Sequence, residues 1–174
     1  MFNIGDLIIY SAHGICKIDD ICEKTVAGIT RPYYVLHPME NDHQLTISTP
    51  VNNDKVVMLG LMNKEEANEI LESFKYPGVE WIDHANMRHT IYSEIVNTGN
   101  RKEIAKVVNT LLRKKVEYEL NERKLYEQDR KLLNTVQHTL FKELAISLNL
   151  TFEEIHEMVI RLLKGIEVDK FPVH

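Results

Sequence analysis

The chain offers two cysteines, eight histidines and 26 carboxylates, and their spacing decides what chemistry they can do. A helical zinc-protease site needs two His four residues apart, with a Glu directly after the first. His156-Glu157 begins that pattern, but position 160 is Ile, so the second ligand is missing. His84 and His89 are five apart, off the i, i+4 spacing that places two rings on one helix face. Cys16 and Cys22 have no nearby pair of His to complete a zinc set, and read as reduced thiols of a cytoplasmic protein. Asp19-Asp20 are neighbours on a predicted strand, so their carboxylates point to opposite faces and cannot share a proton. No glycine-rich phosphate loop and no nucleophile beside a base is present. The expectation is a protein that is not an enzyme, with no metal, no cofactor and no small-molecule substrate.

Cations and one aromatic offer a different chemistry. Residues 101–131 carry ten basic groups against six acidic, a net of +4. On a helix from Arg101, the residues Ile104, Val107, Val108, Leu111 and Leu112 form an apolar face. Lys102, Lys106 and Arg113 then fall within about 40° of one another on the opposite side. Such a row can track a phosphate backbone and release counterions. It can equally be a solvated polar face. Arg123, Lys124, Arg130 and Lys131 extend the basic character, diluted by Glu122, Glu127 and Asp129. Trp81, the only tryptophan, follows Pro77-Gly78 at or near the first turn of a predicted helix. Exposed there, it could wedge against a base step. On an ideal helix it also falls beside Ala85, Tyr92 and Ile95, a core-facing stripe, so burial stands as the alternative.

Two kinds of element must position these residues. The formal charge of −5 over 174 residues argues against nucleic acid when taken whole. Split at Tyr76, residues 1–76 hold 6 basic against 11 acidic groups, and residues 77–174 hold 15 of each. The acidic half has compact β-prone runs at Leu7-Ile8-Ile9-Tyr10 and Tyr33-Tyr34-Val35-Leu36, alternation over residues 15–25 and at Gln44-Leu45-Thr46-Ile47-Ser48-Thr49, and a last short strand at Lys55-Val56-Val57-Met58. Turn chemistry at His13-Gly14, Ala27-Gly28, Glu40-Asn41-Asp42 and Asn52-Asn53-Asp54 separates these runs. Short strands at such spacing suggest a small barrel, because closure hides sheet edges. The period then changes to 3.6. Asn63 with Glu66 and Thr151 with Glu154 read as capping boxes, and helices are expected over 63–74, 80–97, 101–118, 128–148 and 152–163. The fold class is therefore α+β, a β-barrel followed by an all-α helical bundle. The expected divisions are 1–62, a helix and linker over 63–78, a bundle over 79–165 and a tail over 166–174. No run approaches the ~18 apolar residues of a membrane span, and the first residues lack the pattern of a signal peptide. No membrane partner is expected, and a cytoplasmic location is.

With these residues in view, the chain resembles the CarD/CdnL family of bacterial transcription regulators. The resemblance runs through residues 2–14, from Phe2-Asn3-Ile4-Gly5-Asp6 to His13-Gly14, then Gly28, Tyr33-Tyr34-Val35-Leu36 and Leu45-Thr46-Ile47-Ser48-Thr49-Pro50. It resumes at Trp81, Thr98-Gly99-Asn100, Ile104-Ala105-Lys106-Val107-Val108-Asn109-Thr110-Leu111 and Phe141-Lys142-Glu143-Leu144-Ala145. It implies an N-terminal Tudor/SH3-like domain, shared with transcription-repair coupling factors, that binds the RNA polymerase β subunit through an exposed strand. Lys24, Leu45, Ile47, Ser48 and Pro50 are the residues so implicated, with Ser48 standing where some relatives carry Arg. It also implies that the helical domain contacts promoter double-stranded DNA at the upstream edge of the bubble, with Trp81 wedged into the minor groove. His84, Arg88, Lys102, Lys106 and Arg113 would accompany it.

The chain departs from those relatives in two ways. Ile82-Asp83-His84 stands where some have adjacent basic residues, and residues 81–99 are about one helical turn longer. Arg88 is expected on the same helix side as Trp81, replacing the missing charge. Two functions follow: a polymerase-bound factor that stabilises the open promoter complex, or a polymerase-docked adaptor whose helical domain meets protein and not DNA.

Overall fold

In the computed structural model, which describes residues 1–10, 13–40 and 45–165, the period-two half forms one antiparallel sheet. Its strands are β1 (Leu7–Tyr10), β2 (Gly14–Val26), β3 (Ile29–Pro38), β4 (Ile47–Pro50) and β5 (Met58–Gly60), in the order β4-β3-β2-β1-β5. Ser11-Ala12, the Asn41-Asp42 turn, Gln44 and the tail over 166–174 lie outside the described residues.

The β2–β3 hairpin turns on Ala27-Gly28, both at positive φ (51° and 76°), with Val26 paired to Ile29. Two such residues make a type I′ turn, whose twist matches that of the flanking strands. Alternation along β1, β2 and β3 sends Ile8, Tyr10, Cys16, Ile18, Tyr34 and Leu36 into one core. A register shift between Ile18 and Asp20 interrupts β2. The extra residue breaks the alternation, so Asp19 and Asp20 are both exposed rather than split between faces. The last strand starts at Met58 instead of Lys55, because the Asn53 side chain accepts from Lys55 N at 3.0 Å and holds that stretch in a turn.

The helical elements are α1 (Lys64–Glu72), continued by a 3₁₀ turn at Ser73–Lys75, then α2 (Ala85–Asn97), α3 (Arg101–Leu120), α4 (Glu127–Leu148) and α5 (Phe152–Leu163). Thr151 and Glu154 form a complete capping box. At α1 only half of one forms: Asn63 accepts from Glu66 N at 2.8 Å, while the Glu66 carboxylate lies 3.7 Å from Arg101.

The chain divides into two compact units, Met1–Leu61 and Met62–His174. Helix α1 is thus part of the bundle rather than a linker, since Ile70, Leu71 and Phe74 lie in the same core as Val108, Leu111 and Phe141. The first residue of this unit is pinned to α4. Glu143 accepts from Met62 N at 2.9 Å, and Ser147 Oγ donates to Met62 O at 2.8 Å. Burial pushes the Glu143 carboxyl above the usual carboxylate range, and Arg101, at 2.7 Å, offsets this only in part.

Candidate functional site

Helix α2 begins at Ala85, not near residue 80, because residues 76–82 form a non-helical strap, tied to α3 at Tyr76 and Val79 and to side chains of α2 at Glu80 and Ile82. Tyr76 O accepts from Asn109 Nδ2 and Val79 O from Thr110 Oγ1, both at 2.7 Å. Val79 N donates to Lys106 O at 3.4 Å. Farther along, Tyr92 Oη donates to Glu80 O at 2.7 Å, and Arg88 Nη1 to Ile82 O at 2.6 Å. The strap can lie this close only because residue 78 is glycine: a Cβ there would sit 2.3 Å from Lys106 O and 2.3 Å from Thr110 Oγ1.

The strap carries Trp81, which is therefore outside any helix. Its ring is partly buried at the rim of the bundle core, between the two alternatives that the sequence left open. The Arg88 guanidinium lies 4.1 Å and the Lys114 ammonium 5.1 Å from the ring centroid, both within cation–π range. Tyr118 meets the ring edge-on at 6.4 Å, and Arg123 stacks over Tyr118 at 4.7 Å. Lys106, Thr110, Lys114 and Tyr118 are spaced by four along α3, so they form the ridge on which the strap lies. Sequence reasoning missed Lys114 and Tyr118 at this place, although that spacing was the signal.

Arg88 is next to Trp81, but not as an exposed replacement charge. It and Asp129 are each 1% exposed, with Nε donating to both carboxylate oxygens at 3.1 Å. Burial opposes the guanidinium's charge, but Asp129 more than offsets it and holds the pKa above the ordinary Arg value. With its donors on Asp129 and on backbone carbonyls, Arg88 is not offered to phosphate. That corrects the expectation built on an unbroken helix from Trp81.

The other predicted cations are also engaged. Lys102 pairs with Glu69 at 3.0 Å and Lys106 with Glu103 at 2.8 Å, both on the surface. Arg113 is half-buried and donates to Asn109 Oδ1 at 2.7 Å, Phe74 O at 3.1 Å and Leu163 O at 3.4 Å. It ties the 3₁₀ turn and the end of α5 to α3, so the three do not form an open row. His84 is the N-cap of α2, where its Nδ1 accepts from Met87 N at 3.4 Å. No ion pair among the described residues involves Lys115, Arg123 or Lys124, which lie on the last turns of α3 and just beyond. No group of three His, Cys, Asp or Glu among the described residues could hold a metal ion.

In the sheet unit, Lys24 on β2 donates from Nζ to Ser48 Oγ on β4 at 2.6 Å. The registers place Lys24 and Ser48 on one face with Cys22, Tyr33, Val35 and Pro50. Tyr34 and Thr49 point to the other face and are buried. Ile47 packs against the sheet's core, so only its main chain is available on the outside. Leu45 is exposed and precedes β4. β4 ends the sheet order, which leaves one row of its N–H and C=O groups without a neighbouring strand among the described residues.

Two domain families match these two units in order. Residues 2–60 match the CarD-like/TRCF RID domain, and residues 69–160 match the CarD C-terminal domain. The chain is also 27% identical over 158 residues to YdeB of Bacillus subtilis (strain 168), a protein named as a candidate transcription factor, across 89% of this chain and 97% of that one. These two matches, in order over most of the chain, place it in the CarD family, which is of the transcription-factor type and not a class of enzymes.

Proposed function

We propose that this protein docks on the RNA polymerase β subunit through its N-terminal sheet and stabilises the open promoter complex through minor-groove contact by its helical unit. The observation that carries this reading is Trp81: a lone tryptophan, partly exposed, held on a shelf of Arg88, Lys114 and Tyr118. A ring held in this way needs no ordering when it inserts beside a distorted base step. Lys115, Arg123 and Lys124 have no carboxylate partner among the described residues, Arg123 stacks over Tyr118, and the three would meet phosphates without reading sequence. Lys102 and Lys106 add to this field from surface pairs, which are weak and easily exchanged. Because the wedge gains contact mainly on opened DNA, each ~1.4 kcal/mol of that difference favours the open state tenfold. The unpaired edge of β4 suits strand addition, with Lys24, Ser48 and Pro50 on the adjoining outer face. This function places the protein with the polymerase in the cytoplasm, at the nucleoid.

The test is open-complex lifetime under competitor challenge. Trp81→Ala is expected to leave polymerase binding intact and shorten the lifetime about tenfold. An unchanged lifetime overturns the wedge. A second reading, an adaptor whose helical unit meets protein and not DNA, is favoured by the internal engagement of Lys102, Lys106 and Arg113. It expects no change in Trp81 fluorescence quenching when promoter DNA is added to the polymerase complex.

A further inference from the structure

Arg88–Asp129 is the one ion pair among the described residues with both side chains 1% exposed. Taking two charges out of water is unfavourable, and apolar side chains of similar volume fill such a site at least as well. Packing alone does not explain it. What the pair supplies is reach from one buried point. The guanidinium takes both oxygens of Asp129, donates to Ile82 O at 2.6 Å and Asp83 O at 3.3 Å, and lies 4.1 Å from the centre of the Trp81 ring. A planar fork can do these things together, whereas an ammonium cannot. Asp129 sits in the first turn of α4, where the helix N-terminus favours a carboxylate.

We propose that Arg88, locked by Asp129, is the positioning residue for Trp81. It fixes the backbone immediately after the tryptophan and covers the ring's inner side, so that the outer edge is presented in one orientation. The functional consequence rests on the wedge reading above, but the positioning itself does not.

The single tryptophan makes a clean reporter. Arg88→Met removes the guanidinium but strands Asp129, so the informative variant is Arg88→Met with Asp129→Leu, which replaces the pair by apolar groups and keeps the core filled. It is expected to unfold cooperatively with wild-type circular dichroism, yet acrylamide quenching of Trp81 should rise about twofold as the ring loses its fixed orientation. Arg88→Lys, which keeps the charge without the fork, should give an intermediate rise and serves the same purpose if the double variant does not fold. Open-complex lifetime should fall toward that of Trp81→Ala, and adding Trp81→Ala to the double variant should shorten it no further. Unchanged quenching in the folded variants, or lifetime effects that add to those of Trp81→Ala, would overturn the proposal. If Trp81→Ala alone leaves the lifetime unchanged, the wedge reading fails, and the quenching result still decides whether Arg88 positions the ring.

Discussion

Gly78→Ala is the smallest change that tests how the strap is held. An alanine Cβ would stand 2.3 Å from Lys106 O, 2.3 Å from Thr110 Oγ1 and 2.9 Å from Thr110 N, well inside the ~3.5 Å of ordinary contact. Two of these neighbours are backbone atoms in the middle of α3 and cannot yield without breaking the helix. Thr110 Oγ1 can rotate away, but only by abandoning Val79 O. The strap must therefore lift, and it releases the bonds at 2.7 Å from Thr110 and at 3.4 Å to Lys106. Overpacking costs about 1–3 kcal/mol, and two hydrogen bonds add about 0.5–1.5 kcal/mol each. The entropic advantage of Ala over Gly, about 0.4–1 kcal/mol, opposes this without cancelling it. A loss of about 3 kcal/mol is expected, equivalent to roughly 10 °C in the bundle's melting temperature. Urea unfolding followed by far-ultraviolet circular dichroism measures it, and Trp81 emission in the folded state should shift to the red as the ring leaves its shelf. A change below about 0.5 kcal/mol, the range of an ordinary surface substitution, would refute the close approach of strap and helix.

Arg113→Met should lower stability by about 2 kcal/mol, as Asn109 Oδ1 and the carbonyls of Phe74, Tyr76 and Leu163 lose their charged donor, and should leave the salt dependence of promoter binding unchanged. A reduced salt slope in a fully stable variant would return Arg113 to the phosphate backbone. Burial pushes the Cys16 thiol from its ordinary 9.0 up to about 11, so the folded chain keeps a proton that the unfolded chain releases. The resulting stability is fully present below the unfolded value and is lost as pH rises through that window, by at most about 3 kcal/mol. Cys16→Ala should remove this part of the alkaline slope in pH-dependent melting of the sheet unit, and an identical slope in both proteins would count against it.

The elements were legible wherever their signal was local. Alternation and the Ala27-Gly28 pair define the β2–β3 hairpin, and Thr151 with Glu154 defines the start of α5, because strand twist and capping act within a few residues. The misplacements have tertiary or side-chain causes. The register shift in β2 is set by its partner strand, and the late start of β5 follows from a single Asn53 side chain. The strap is the instructive case. Trp81, Tyr92 and Ile95 have helical spacing because all three border the same core, so periodicity extended α2 through a segment whose carbonyls at Glu80 and Ile82 accept instead from the side chains of Tyr92 and Arg88. Pro77-Gly78 reads locally as a break between modules, yet Gly78 is where backbone meets backbone inside one module.

The state of the candidate cations is set by their partners, which a charge count cannot capture. Some of the pairs are written in the spacing: Lys106 with Glu103 and Lys114 with Glu117 are three apart on one helix, a distance at which side chains meet. Others are not, since Lys102 with Glu69 and Arg101 with Glu143 exist only because α1 and α4 pack on α3. Arg88 looked like a free cation until α4 brought Asp129 to it. Removing the cations that have carboxylate partners, together with Arg113, from residues 101–131 leaves Lys115, Arg123, Lys124 and Arg130, of which Arg123 stacks over Tyr118. Net charge over a segment measures the field far from the protein, where screening reduces it within about 10 Å. Contact with DNA depends instead on which cations have no nearer anion. By that criterion the reading for nucleic acid stands on less charge than the sequence offered: both cations over the Trp81 ring have carboxylate partners, Arg88 in Asp129 and Lys114 in Glu117, while Arg123, over Tyr118, has none among the described residues.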